Sequence, residues 1–123
     1  MNASYEVRVG YIYIKIFGEY TNSSVIELFR NWLEEARRSK LYKVVCDLTQ
    51  LIGSAPREIK STERFDAGEL IALFMPKNIS LAILAKPSQI EKDRFFENLL
   101  RNRGIRVKLT ASLDEALSWL KVK

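Results

Sequence analysis

The stretch VVCDLTQLIGSAPREIK, residues 44–60, joins an apolar run to a polar turn and then to a helix start. Read alone, it is the end of a buried strand, a loop and the first turn of a helix. In open α/β sheets the loops that follow the strands hold ligands and chemistry. This one presents Asp47, Thr49, Gly53 and Ser54.

The segments on either side repeat that alternation. YIYIKIF, residues 11–17, has the period of a strand, with Ile12, Ile14 and Ile16 on one face and Tyr11, Tyr13 and Lys15 on the other. Residues 5–9 read as its partner strand, turned at Gly10, and residues 1–4 as a fraying end. Val25, Leu28, Phe29, Trp32, Leu33 and Ala36 recur at helical spacing. Ser24, Ser88 and Ser112 are each followed three residues later by a glutamate, which is the pattern of a capping box at a helix start. These signals predict helices from Ser24, over residues 90–102 and over residues 113–121. A fourth is expected over residues 59–74, closed by Pro76. Short runs rich in Val, Ile and Leu at residues 43–48, 79–85 and 105–109 complete the set as strands.

The predicted order is β-β-α-β-α-β-α-β-α, an α/β domain with a mostly parallel sheet. No linker, repeat or low-complexity run interrupts residues 1–123, so they read as one domain. No run of about 20 apolar residues is present. The amino-terminal residues lack the basic start and apolar block of a signal peptide, so a cytoplasmic location is expected.

The sequence contains no histidine. That removes His-based general base catalysis, Ser-His and Cys-His nucleophile pairs and most zinc and iron sites. Cys46, the one cysteine, lies in an apolar strand and reads as a small buried side chain. Asp47 has no second carboxylate near it in sequence, and an aspartate there commonly binds backbone N–H groups. Catalysis normally needs two tuned groups. No enzyme, metal or cofactor is therefore expected.

The opening strand with its Phe17-Gly18-Glu19, the run Val45-Cys46-Asp47-Leu48-Thr49 and the closing segment NRGIRVKLTASLDEALSWL, residues 102–120, resemble the STAS domains, the fold of bacterial anti-sigma-factor antagonists. The likeness is greatest to small stand-alone STAS-like proteins and spans nearly the whole chain. It implies strands side by side in nearly chain order, with helices mainly on one face. In antagonist members an Asp-Leu-Ser-like strand leads to Asp-Ser-Ser-Gly, whose serine accepts a phosphate from a partner kinase. Here Asp47, Leu48 and Thr49 match, and then the match fails. The chain continues Gln50-Leu-Ile-Gly-Ser-Ala-Pro-Arg57, with Ser54 short of the family's serine position and Pro56 and Arg57 near it. Gly53, Ser54 and Pro56 read as turn and helix-start residues.

The net charge is +5. Arg37, Arg38, Lys40 and Lys43 form one basic cluster, and Arg101, Arg103, Arg106 and Lys108 another. Both straddle expected helix ends, where positive charge complements the helix dipole. Aromatic residues are not interleaved with them, which speaks against nucleic acid. The polar–apolar alternation of the strands instead predicts a partly open sheet face carrying Tyr11, Tyr13 and Lys15, suited to a protein partner or a homodimer. The expected function is a non-enzymatic STAS-like regulatory interaction module without the phosphoacceptor serine. The alternative is a small-molecule domain that takes a nucleotide, anion or lipid at Asp47, Thr49, Gly53 and Ser54, where helix N-termini gather.

Overall fold

Alternating isoleucines order the sheet. In the strand β2 (Tyr11–Glu19), Ile12, Ile14 and Ile16 all point into one core. The computed structural model describes residues 2–19, 22–52, 75–76 and 78–122. The strands β1 (Asn2–Arg8), β2, β3 (Lys43–Ile52), β4 (Ser80–Leu84) and β5 (Arg106–Thr110) form one sheet in the order β1-β2-β3-β4-β5. β1 is antiparallel to β2, and every later neighbour pair is parallel. The helices among the described residues are α1 (Asn22–Ser39), α2 (Ile90–Asn102) and α3 (Leu113–Leu120). The helix expected over residues 59–74 lies outside the described residues.

Val9 and Gly10 connect β1 to β2, with Arg8 opposite Tyr11. Gly10 has φ +86°, and Val9 is not in the left-handed region, which is the pattern of a type II turn with glycine at its second central position. The first residues, expected as a fraying end, are strand residues from Asn2 onward. Asn2, Ala3 and Ser4 pair with Phe17, Ile16 and Lys15, so β1 matches the whole alternating run of β2.

Two cores flank the sheet. On the first face, Phe29, Trp32, Leu33 and Ala36 of α1 and Leu100 of α2 bury Ile12, Ile14, Ile16, Val44, Leu81, Ile83, Val107 and Leu109. Phe29 and Trp32 meet edge to face at 5.1 Å. On the second face, Ala116 and Leu120 of α3 close over Tyr11, Val45, Ala82 and Leu84. An eight-residue helix is about 12 Å long, and five strands are about 19 Å across. α3 therefore covers only part of its face. It lies over β4 and β5, and among the described residues no helix covers the far ends of β1 and β2 on this face.

The capping signals divide. Ser112 is the N-cap of α3, and its Oγ accepts the Glu115 N–H at 3.2 Å. Glu115 does not reach back; its carboxylate pairs with Lys108 of β5 at 3.3 Å. Ser24 lies inside α1, which starts two residues earlier. Ser88 is not a cap either. Pro87 begins a 3-10 turn through Gln89, and Gln89 becomes the N-cap of α2. Proline's fixed φ starts the turn one residue too soon for Ser88 to serve.

The two outer strands are treated differently. β5 is sealed from α2: the buried Glu97, 2% exposed, accepts the Leu109 backbone N–H at 2.5 Å. Arg101 Nε donates to the Val107 carbonyl at 3.1 Å. Arg94 and Arg101 hold Glu97 at 3.3 and 3.5 Å. Among the described residues only β2 pairs with β1. No described helix is long and apolar enough to cross a membrane.

Candidate functional site

β3 continues to Ile52, so Asp47 is a mid-strand residue and not the end of a strand as expected. The reason is a bulge. The β2–β3 register advances by two residues on β2, from Lys15 to Phe17, and by three on β3, from Asp47 to Gln50. The extra residue breaks the ladder locally. Asp47 repairs the break: its Oδ1 accepts the Thr49 backbone N–H at 2.8 Å and the Thr49 hydroxyl at 2.5 Å. Its Oδ2 accepts the Tyr13 hydroxyl.

Alternation on β1 brings Glu6 and Arg8 to the same face as Tyr13, since Glu6 is opposite Tyr13 and Arg8 opposite Tyr11. The Arg8 guanidinium lies 4.1 Å above the Tyr13 ring centroid, a cation–π contact. It also donates to the Tyr11 hydroxyl at 3.3 Å and pairs with Glu6 at 3.1 Å. A continuous polar chain thus runs Glu6–Arg8–Tyr13–Asp47–Thr49 across β1, β2 and β3.

Electrostatics follow from these contacts. Burial pushes the Asp47 carboxyl upward, but the hydrogen bonds from Thr49 and Tyr13 and the nearby Lys15 outweigh it and leave the pKa below the ordinary value. Burial, the hydrogen bond to Asp47 and its charge raise the Tyr13 phenol, against a smaller opposing effect of Arg8. Hydrogen bonding to Arg8 lowers the Glu6 carboxyl. Cys46 projects to the other face, into the first core, where burial and then Asp47 push its thiol up to about 12.

This arrangement has little reactive capacity at neutral pH. Asp47 is ionised, 5% exposed, and holds three donors of its own chain, two on Oδ1 and one on Oδ2. Tyr13 is a weaker acid than a free phenol, and Cys46 is a neutral thiol. Among the described residues no three His, Cys, Asp or Glu side chains gather as metal ligands would.

The expected site residues separate. Asp47 and Thr49 are joined to Tyr13 by hydrogen bonds. Gly53 and Ser54 lie outside the described residues. Tyr11, expected on an open face, is only 6% exposed, because α3 packs across the second face and takes it into that core. Tyr13 is half-buried and Lys15 exposed. Phe17, at 38% exposure, extends the same row beyond them. Glu6 and Arg8 were missed. Their signal was present, since residues two apart on a strand share a face.

The basic clusters are largely committed within the chain. Arg37 pairs with Glu34 at 3.4 Å, Arg38 with Glu35, Arg101 with Glu97 and Lys108 with Glu115. Arg103 donates to the Leu99 carbonyl at the end of α2, and Lys43 to the Lys121 carbonyl just after α3.

No protein-family model and no curated protein sequence matches the chain. Among solved structures, it is similar to an anti-sigma factor antagonist from Mycobacterium paratuberculosis, with a TM-score of 0.65 and 14% sequence identity over 98% of this chain and 93% of that one. The shared architecture extends from the β1–β2 hairpin to the closing helix, so this chain has the STAS fold.

Proposed function

We propose that this protein is a non-enzymatic regulatory module of the cytoplasm that works by docking a partner protein. One observation carries the reading: among the described residues no helix covers the far ends of β1 and β2 on the second sheet face, where Lys15 and Phe17 stand exposed beside the fixed Tyr13–Asp47–Thr49 cluster. Such a surface combines apolar area with polar groups locked by their neighbours, so little side-chain freedom is lost on binding. The exposed Glu19, Gln50, Lys86 and Ser88, at or near the carboxyl ends of the strands, extend the contact rim. The solved protein of like fold is described as an anti-sigma factor antagonist, which supports a regulatory role here. The docking is independent of a phosphoacceptor serine, because the chain has no Asp-Ser-Ser-Gly and carries Pro56 and Arg57 near the position of the serine pair.

The test is quantitative capture of interacting proteins by the wild type and by Lys15→Glu/Phe17→Asp, paired with a melting-temperature screen of nucleotides, anions and lipids. A partner retained by the wild type and lost by the folded variant supports docking. A specific small molecule that raises the Tm by mass action, with no partner lost, replaces it with the ligand-binding reading.

A further inference from the structure

We infer that β1 is the self-association edge of this protein, pairing antiparallel with the β1 strand of a second copy about a two-fold axis through Val7. The proposal concerns the outer edge of the sheet, so it stands apart from the docking face described above.

The contrast between the two outer strands is the starting point. Exposed backbone on an edge strand is a template for another strand, and proteins usually cover it. On β5, Glu97 and Arg101 occupy the Leu109 N–H and the Val107 carbonyl. β1 has no such cover among the described residues, although it is seven residues long and paired in unbroken register with β2. Arg8 and Tyr11 close the two-residue turn. By the alternation of an antiparallel ladder, the backbone groups of Val7 and Tyr5 then face outward.

The side chains select the occupant. A two-fold axis perpendicular to the sheet brings together residues of the same face. Centred on Val7, it sets Glu6 opposite the second copy's Arg8, and Arg8 opposite the second copy's Glu6. On the other face the same register sets Val7 against its own counterpart and Tyr5 against Val9. Those three are the exposed large apolar residues of β1 and its turn, at 57% for Val7, 36% for Tyr5 and 90% for Val9. Opposite charges and apolar pairs directly across a ladder each stabilise it. Moving the axis to Glu6 places that carboxylate against itself. Moving it to Tyr5 leaves both charges without opposite partners and Val9 outside the ladder. One register therefore satisfies both faces, and it is self-complementary, as a two-fold interface requires.

The experiment is a charge swap read by sedimentation velocity on the full chain from micromolar to millimolar concentration. The wild type is expected to form a reversible dimer. Glu6→Arg alone and Arg8→Glu alone each create like-charge pairs and are expected to weaken the dimer by about tenfold or more. Mixing the two variants restores opposite charges at every pair and is expected to restore the dimer as a heterodimer. Val7→Cys, across the axis, is expected to give an intermolecular disulfide on mild oxidation, since directly opposed Cα atoms lie about 5.5 Å apart. This variant decides the matter if a charge variant does not fold. A wild type that stays monomeric at millimolar concentration overturns the proposal. So does a dimer indifferent to the charge variants, a mixture that fails to associate, or a Val7→Cys chain that does not cross-link.

Discussion

Tyr13 and Asp47 are joined diagonally, not face to face. Tyr13 is opposite Val45 and Asp47 opposite Lys15, yet the Tyr13 hydroxyl crosses to Asp47 Oδ2. Diagonal neighbours on a sheet are within reach of a long aromatic side chain. The link ties the bulge of β3 to β2, so its removal reaches beyond one hydrogen bond.

Asp47→Asn is expected to lower stability at neutral pH by about 1–3 kcal/mol, because three donors then meet an amide with one acceptor oxygen. The folded pKa of Asp47 is lowered, so its stabilisation is complete above the ordinary aspartate value of about 3.9 and is lost as pH falls through the folded value. The gap between wild type and variant should narrow over that acidic range. Urea denaturation at a series of pH values measures it.

The Tyr13 pKa is displaced the other way. Its stabilisation is complete below the ordinary tyrosine value of about 10 and fades as pH rises through the higher folded value. Tyr13→Phe is expected to cost about 1 kcal/mol at neutral pH. It should also remove a late step from the ultraviolet titration of the folded protein's tyrosines.

Glu97→Ala is expected to cost about 1–3 kcal/mol or more, since it leaves the buried Leu109 N–H without an acceptor. Glu97→Gln keeps a carbonyl oxygen there and should cost less. Amide exchange at Leu109 separates the two, with much faster exchange in the alanine variant.

Among the serines that head a Ser-x-x-Glu pattern, Ser112→Ala is expected to lose about 1 kcal/mol, the typical value of an N-cap. Ser88→Ala, at an exposed position inside the 3-10 turn, should stay within about 0.5 kcal/mol of wild type. Thermal denaturation of both variants is the measurement.

Element order was legible because the periods are clear: two in residues 11–17, and near 3.6 around Phe29, Trp32, Leu33 and Ala36. The exposure of Tyr11 was not, because strand alternation says which residues share a face but not what covers it. That depended on how α3 turns after β5, through two residues, Ala111 and Ser112. The length of β3 was hidden for a related reason. Thr49 and Gln50 look like loop residues, and the bulge that keeps them in a strand depends on contacts from Asp47. Of the candidate site, Asp47, Thr49, Tyr13 and Lys15 were legible as residues, while the links among them were not. Glu97 left only a faint trace as an acid three residues from the buried Leu100. Its role required knowing which strand lies at the margin.

The asymmetry between β1 and β5 bears on how far such molecules can associate. Sheets open on both sides can add copies indefinitely, as fibrils do. Here Glu97 and Arg101 block one side, so growth by strand addition stops once the other is used. On the proposed β1 pairing, a two-copy closed pair is then the end of the series, and a mutation that uncovers β5 would give that pair a second edge at which further copies could add.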